Sequence, residues 1–232
     1  MDACPKCNGS GWIFGDKDGV EYAHRCTCVL GELFTLRAER ANIPERFKHS
    51  SFDNFKITDG SVGLGEAIEK SKIFAGNFES MDRGLLLQGT PGIGKTKLLC
   101  SMLNAMLKRK PGMKVMYIDW NDLVRDLGSG ESFESRDFSL INKLTSRIKN
   151  STIVMFDELG ATRPSEYVKD KIYDIINTRY NRMRLTCFAT NWPDDDPQRE
   201  SLQHRIGARL RSRITQMTDL CQIKARDYRR VR

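Results

Sequence analysis

The stretch "GTPGIGKT" at residues 89–96 follows the apolar run "GLLLQG" and opens a helical pattern, "KTKLLCSMLNAMLKRK". It fits G-x-x-x-x-G-K-[ST] in the setting where that motif has a mechanism. Glycines let backbone N–H groups close around phosphates, and the helix N-terminus adds its partial positive charge. Gly89, Thr90, Pro91, Gly92, Ile93, Gly94, Lys95 and Thr96 thus form a candidate phosphate site. Lys95 would reach the β and γ phosphates of a nucleotide, and the Thr96 hydroxyl would bind magnesium. A second apolar run, "VMFDEL", ends in Asp157 and Glu158. An acid at the C-terminal end of a buried strand lies beside the phosphate loop of such sheets, which makes Asp157 a magnesium partner and leaves Glu158 to polarise an attacking water. Two buried carboxylates without a cation are costly, and magnesium accounts for both. A third run, "CFATNW", ends in Thr190 and Asn191, whose neutral amide can orient that water or sense the γ-phosphate.

A separate chemistry sits at the start of the chain. Of seven cysteines, Cys4, Cys7, Cys26 and Cys28 fall within the first 28 residues as C-x₂-C-x₁₈-C-x-C. Four thiolates suit tetrahedral zinc, and the glycines of "CNGSGW" allow the tight turn after the first pair. His24 in place of one thiolate, or a redox role for the first pair, are the competing readings. Cys100, Cys187 and Cys221 stand alone in apolar segments, as buried small hydrophobes do.

Positioning these residues requires alternating strands and helices. "GLLLQG", "KVMYIDW", "STIVMFDEL", "LTCFATN" and "LCQIKA" are short and strongly apolar, the pattern of strands covered on both faces. Between them, Leu98, Leu99, Met102, Leu103 and Met106, then Leu140, Ile141, Leu144 and Ile148, then Val168, Ile172, Ile175 and Ile176 recur with helical spacing. The alternation predicts an α/β fold with a parallel sheet flanked by helices. Helices are also expected at residues 29–43 and over "VGLGEAIEKSKIFAGNF", with a turn-rich connection between them and a mobile loop at 128–138. Ile206, Leu210 and Ile214 give one more helix an apolar stripe, beside a stripe of Arg205, Arg209 and Arg213.

Composition sets the outer bounds. The 232 residues are 39% hydrophobic and 29% charged, ordinary for a soluble globular chain with one α/β domain after a short appended element. No apolar run reaches the roughly 18 residues of a membrane span, and the acidic "MDACPKC" start is no signal peptide, which points to the cytoplasm. The formal charge of +8 is concentrated: from Arg199 onward ten Lys and Arg face three acids. That balance suits an anionic partner.

In this order, phosphate loop, "DE" strand, Asn-ended strand and arginine helix resemble an AAA+ ATPase. "IPERFKHSSFDNF", "FDELGATRPSEYVKDKIYDIINTRY" and "ARDYR" narrow the resemblance to the bacterial helicase-loader group DnaC/DnaI and the related transposition ATPase IstB, over residues 38–232. The resemblance implies a P-loop AAA+ core with ATP and magnesium, its helical lid reduced or absent. It implies that Arg213, with Arg209 as the alternative, reaches into the nucleotide site of the next subunit. Arg229 in "DYR" resembles the second sensor arginine. Sites shared in this way imply head-to-tail contacts and a spiral or ring. Single-stranded DNA and a DnaB-type replicative helicase are the implied partners. Arg163 and the loop around Phe133 are candidates for DNA contact, and the cysteine module is the candidate for gripping the helicase. The resulting division is a zinc module with its exit helix at 1–37, a linker at 38–60 and the ATPase domain at 61–232. An IstB-like partner of a transposase on duplex DNA, and a zinc-bearing nucleotide switch with little hydrolysis, are the competing functions.

Overall fold

The computed structural model describes residues 4–8, 10–17, 19–55, 62–128, 135–194 and 200–224. Two antiparallel strands, β1 (Trp12–Lys17) and β2 (Val20–Arg25), form a ribbon that leads into α1 (Thr27–Arg40). After α2 (Val62–Asn77), the chain alternates: β3 (Gly84–Gln88), α3 (Lys95–Arg109), β4 (Val115–Asp119), α4 (Trp120–Gly128), α5 (Ser135–Asn150), β5 (Ile153–Asp157), α6 (Glu166–Asn181) and β6 (Thr186–Thr190). Two short helices, α7 (Leu202–Ile206) and α8 (Ala208–Met217), precede β7 (Thr218–Gln222). The five strands from β3 to β7 form one parallel sheet in the order β4-β5-β6-β3-β7, so β6 lies between the strand that feeds the phosphate loop and the strand that ends in Asp157.

The apolar runs of β3 to β6 are continuous because the pleat sends successive residues to opposite faces and both faces are covered, whereas β7, at the edge of the sheet, leaves Asp219, Leu220 and Gln222 exposed. Leu85, Leu87, Val115, Tyr117, Ile153, Met155, Cys187, Ala189 and Cys221 pack under α2 and α3, whereas Leu86, Met116, Ile118, Val154, Phe156 and Phe188 pack under α4 to α8. The three solitary cysteines are buried core residues, as their surroundings predict.

Three segments differ from the sequence reading. The exit helix starts at Thr27, directly after Cys26, so Cys28 lies in its first turn. Residues 38–55 are packed against the core: Ala38, Ala41 and Ile43 are buried, Phe47, Phe52 and Phe55 lie against the same cluster, and Asn104 of α3 donates to the carbonyls of Phe47, Lys48 and Ser50. The arginine stretch is two helices, not one. Gly207 at φ +89° and ψ 150° ends α7 and starts α8, a backbone that L side chains rarely adopt. Ile206, Leu210 and Ile214 are nevertheless all buried on one side.

Candidate functional site

At the C-terminal edge of the sheet, Pro91, Gly92, Gly94, Lys95, Thr96, Asp157, Glu158 and Asn191 line one cleft of about 320 Å³. Three separate connections deliver them: the turn after β3, the end of β5 and the end of β6. Gly94 caps α3 at φ +97°, where a side chain would be strained, and the turn directs Lys95 back over the loop. Lys95 Nζ donates to the carbonyls of Gly89 and Thr90, both at 2.8 Å. Ile93 is wholly buried and anchors the loop to the core beneath α3.

Asp157 is 2% exposed. Burial pushes its carboxyl above the ordinary carboxylate range, against three donors: the hydroxyls of Thr96 and Tyr117, the latter at 2.7 Å, and the Glu158 N–H at 3.0 Å. A buried carboxyl beside the Thr96 hydroxyl and the phosphate loop is the donor set a hard divalent cation takes. Glu158 is also raised, by burial first and then by Asp157 and Asp119. Its backbone lies at φ +53°, an uncommon conformation for a residue with a side chain. Asn121 Nδ2 donates to Glu158 Oε2 at 3.2 Å, and Thr162 Oγ1 donates to Asn121 Oδ1 at 2.6 Å.

Tyr117, Asn121, Arg46 and Phe47 are site residues that the sequence reading missed. Arg46 and Phe47 also line the cleft, carried there by the segment packed on α3. Tyr117 and Asn121 act because β4 pairs with β5, Asp119 opposite Asp157. A polar residue just beyond a strand is a usable signal only once that pairing is known.

Neither Arg209 nor Arg213 lines the cleft. Both lie on α8 against α6: Arg209 is stacked over Tyr173 at 4.4 Å, and Arg213 over Tyr180 at 4.7 Å with hydrogen bonds to Asn177 and Gln216. Arg163 is exposed and paired with Glu200. Arg229 and Phe133 lie outside the described residues.

The four N-terminal cysteines converge. Their sulfurs all lie within 4.8 Å of one another, with Cys4 to Cys26 at 3.9 Å and Cys7 to Cys28 at 3.6 Å. Two thiolates at Zn–S bonds of about 2.3 Å in a tetrahedron are about 3.8 Å apart, so the set fits zinc. The Gly11 N–H points at Cys7 Sγ at 3.4 Å, and the Cys26 N–H binds the Gly11 carbonyl. The Cys28 N–H draws the Cys26 thiol down to about 7, while the hydrogen bond to Cys26 holds Cys28 up at about 12. His24 stacks on Tyr22 and is not among the clustered ligands.

Residues 65–232 match the IstB-like ATP binding protein family. The chain belongs to that family. Among its relatives, the replicative helicase loader DnaC of Buchnera aphidicola subsp. Baizongia pistaciae (strain Bp) is 27% identical over 152 residues, which cover 66% of this chain and 59% of that protein. The replicative helicase loader DnaI of Bacillus subtilis (strain 168) is 26% identical over 140 residues, 57% of this chain and 43% of that protein. The chain therefore spans less than two thirds of the length of either. The crystal structure of the DnaC helicase loader superposes with a TM-score of 0.63 at 28% identity, over 78% of this chain and 100% of that one. The IstB-like, DnaC-like AAA+ architecture expected from the motifs is the architecture present. Among the described residues, no helix is long and apolar enough to cross a membrane.

Proposed function

We propose that this member of the IstB-like family is an ATPase that loads a DnaB-type replicative helicase onto single-stranded DNA, acting as an oligomer whose nucleotide sites are completed by neighbouring copies. One observation carries the reading: a lysine, a hydroxyl, a buried aspartate, a held glutamate and an amide converge in one cleft of a chain that has named helicase loaders among its relatives.

In this reading the loop amides and Lys95 bind the phosphates, Lys95 exchanging its carbonyl partners for β and γ oxygens. Thr96 and Asp157 hold magnesium, which when bound neutralises phosphate charge. Glu158 accepts a proton from the attacking water while Asn121 fixes the carboxylate, and Asn191 orients the water. Arg213 leaves its resting place on Tyr180 to meet the phosphates of the next subunit, with Arg209 the alternative. A finger of this kind accelerates hydrolysis by roughly 10³ to 10⁵, so a lone subunit turns over slowly. Arg229 acts as a sensor toward its own nucleotide. The zinc module, 1–37 with its exit helix, grips the helicase, and 61–232 is the ATPase.

The test combines this chain, the replicative helicase of the same genome and a covered single-stranded circle carrying an annealed strand. Strand displacement that needs both proteins and ATP supports loading. Displacement indifferent to this chain, with no co-elution of the two proteins, overturns it. The family match also favours an IstB-like role beside a transposase, which predicts duplex binding with no helicase partner.

A further inference from the structure

Phosphate chemistry leaves Arg205 without a task, yet it is held firmly between the segments that follow Glu158 and Asn191. Its side chain is 13% exposed, and its guanidinium lies 4.0 Å over the indole of Trp192. It donates to the carbonyl of Gly160, to that of Ala161 at 2.8 Å and to Glu200 Oε2 at 2.8 Å. Gly160 and Ala161 are the second and third residues after Glu158, and Trp192 directly follows Asn191. One planar group therefore ties the segment behind the water-activating carboxylate to the segment behind the γ-phosphate amide.

The segment after Glu158 needs such a tie. The φ of +53° at Glu158 persists only where surrounding contacts impose it. On the α4 side, Trp120 Nε1 binds the Thr162 carbonyl at 2.8 Å. From β6, Thr190 Oγ1 binds the Leu159 carbonyl, and the Ala189 carbonyl takes the Leu159 N–H, both at 2.8 Å. On the remaining side Leu202 and Trp192 lie beside Gly160, and Arg205 supplies the hydrogen bonds to the Gly160 and Ala161 carbonyls. Its fork meets two successive carbonyls while its face stacks on an aromatic ring, a geometry that a lysine ammonium cannot reproduce. Trp192 is in turn fixed at its carbonyl by Gln88, the last residue of β3 before the phosphate loop.

We propose that Arg205 is a positioning residue: it keeps the Glu158 segment in register with Asn191. This rests on the ATPase reading, in which Glu158 activates water. The experiment compares the full chain with Arg205→Gln and Arg205→Lys in three respects: affinity for a non-hydrolysable ATP analogue, kcat and KM, and hydrogen exchange of the Leu159 and Ala161 amides.

The expected result is at least tenfold faster exchange at both amides in Arg205→Gln, with kcat down at least tenfold and analogue affinity and KM within threefold. Arg205→Lys recovers less than a third of the lost kcat. Unchanged exchange, full recovery by lysine, or affinity falling in step with kcat overturns the proposal. If the original chain binds the analogue but turns no ATP over, the ATPase reading fails by itself and the exchange comparison still decides whether Arg205 holds this segment. If Arg205→Gln does not fold, Trp192→Leu removes only the stacking surface and is judged by the same readouts.

Discussion

Replacing Glu158 with glutamine removes one charge and keeps the outline of the side chain. An amide oxygen accepts from Asn121 as the carboxylate Oε2 does now at 3.2 Å, so the side chain stays in place. What is lost, in the proposed hydrolysis, is the base. A positioned general base contributes about 10² to 10⁴ in rate. That is about 2.7 to 5.4 kcal/mol of barrier at roughly 1.36 kcal/mol per factor of ten. Lys95, Thr96 and the glycines are untouched, so ATP affinity stays within about threefold. Stability moves the other way. Burial, then Asp157 and Asp119, raise the Glu158 carboxyl above its ordinary value of 4.5. A carboxyl raised on folding is neutral in both states at low pH and costs nothing there; as pH climbs past 4.5 the unfolded chain ionises first, and the cost grows until the folded group ionises too. The nucleotide-free glutamine variant therefore melts above the original at pH 7.5, and the gap narrows as pH falls toward 4.5. Phosphate release at saturating ATP, equilibrium nucleotide binding and melts across that range read all three effects. Turnover within threefold of the original, or a variant that melts lower at neutral pH, refutes the reasoning.

Three further outcomes follow from particular contacts. One zinc per chain is expected in elemental analysis. Because all six residues of β2 are exposed, the ribbon has no core of its own, and chelation removes roughly 10–16 kcal/mol of metal binding. Proteolysis then cuts between Cys4 and Cys26 while the 62–224 region survives, and an unchanged digest after complete zinc removal counts against the site. Arg179 is fully buried, has no acidic partner among the described residues and donates to the carbonyls of Ile148, Ser151 and Leu185. Arg179→Met leaves these acceptors unpaired at about 1–3 kcal/mol each, and a melting temperature within 2 °C of the original contradicts that role. Lys95→Ala loses charge-assisted bonds worth about 1.5–3 kcal/mol, a roughly ten- to hundredfold weaker ATP affinity in an equilibrium titration.

Strands β3 to β6 could be read from the sequence because strands buried on both faces leave apolar runs, the edge strand β7 showed through Leu220, Cys221 and Ile223, and "GTPGIGKT" carries its own mechanism. Strand order could not be read. It depends on long-range pairing, and without β4 beside β5 nothing connects Tyr117 to Asp157 or Asn121 to Glu158. Arg46 and Phe47 sit in a turn-rich stretch that looks like a plain connection until Asn104 is seen gathering its carbonyls. The break at Gly207 was hidden by the apolar residues at 206, 210 and 214, whose spacing survives the change of backbone. Arg179 lies in a helix with many charges, and its position reads as surface although it is sealed in the core.

The claim on which the functional account depends is that each nucleotide cleft is completed by the neighbouring copy. Equal amounts of Lys95→Ala and Arg213→Ala chains test it directly, with DNA and ATP present and each variant alone shown to be folded and inactive. Random assembly pairs an intact phosphate loop with an intact neighbouring arginine at about one site in four, so about a quarter of the original turnover returns on mixing. If mixing restores no turnover although the two chains co-assemble, the cleft is not shared in this way.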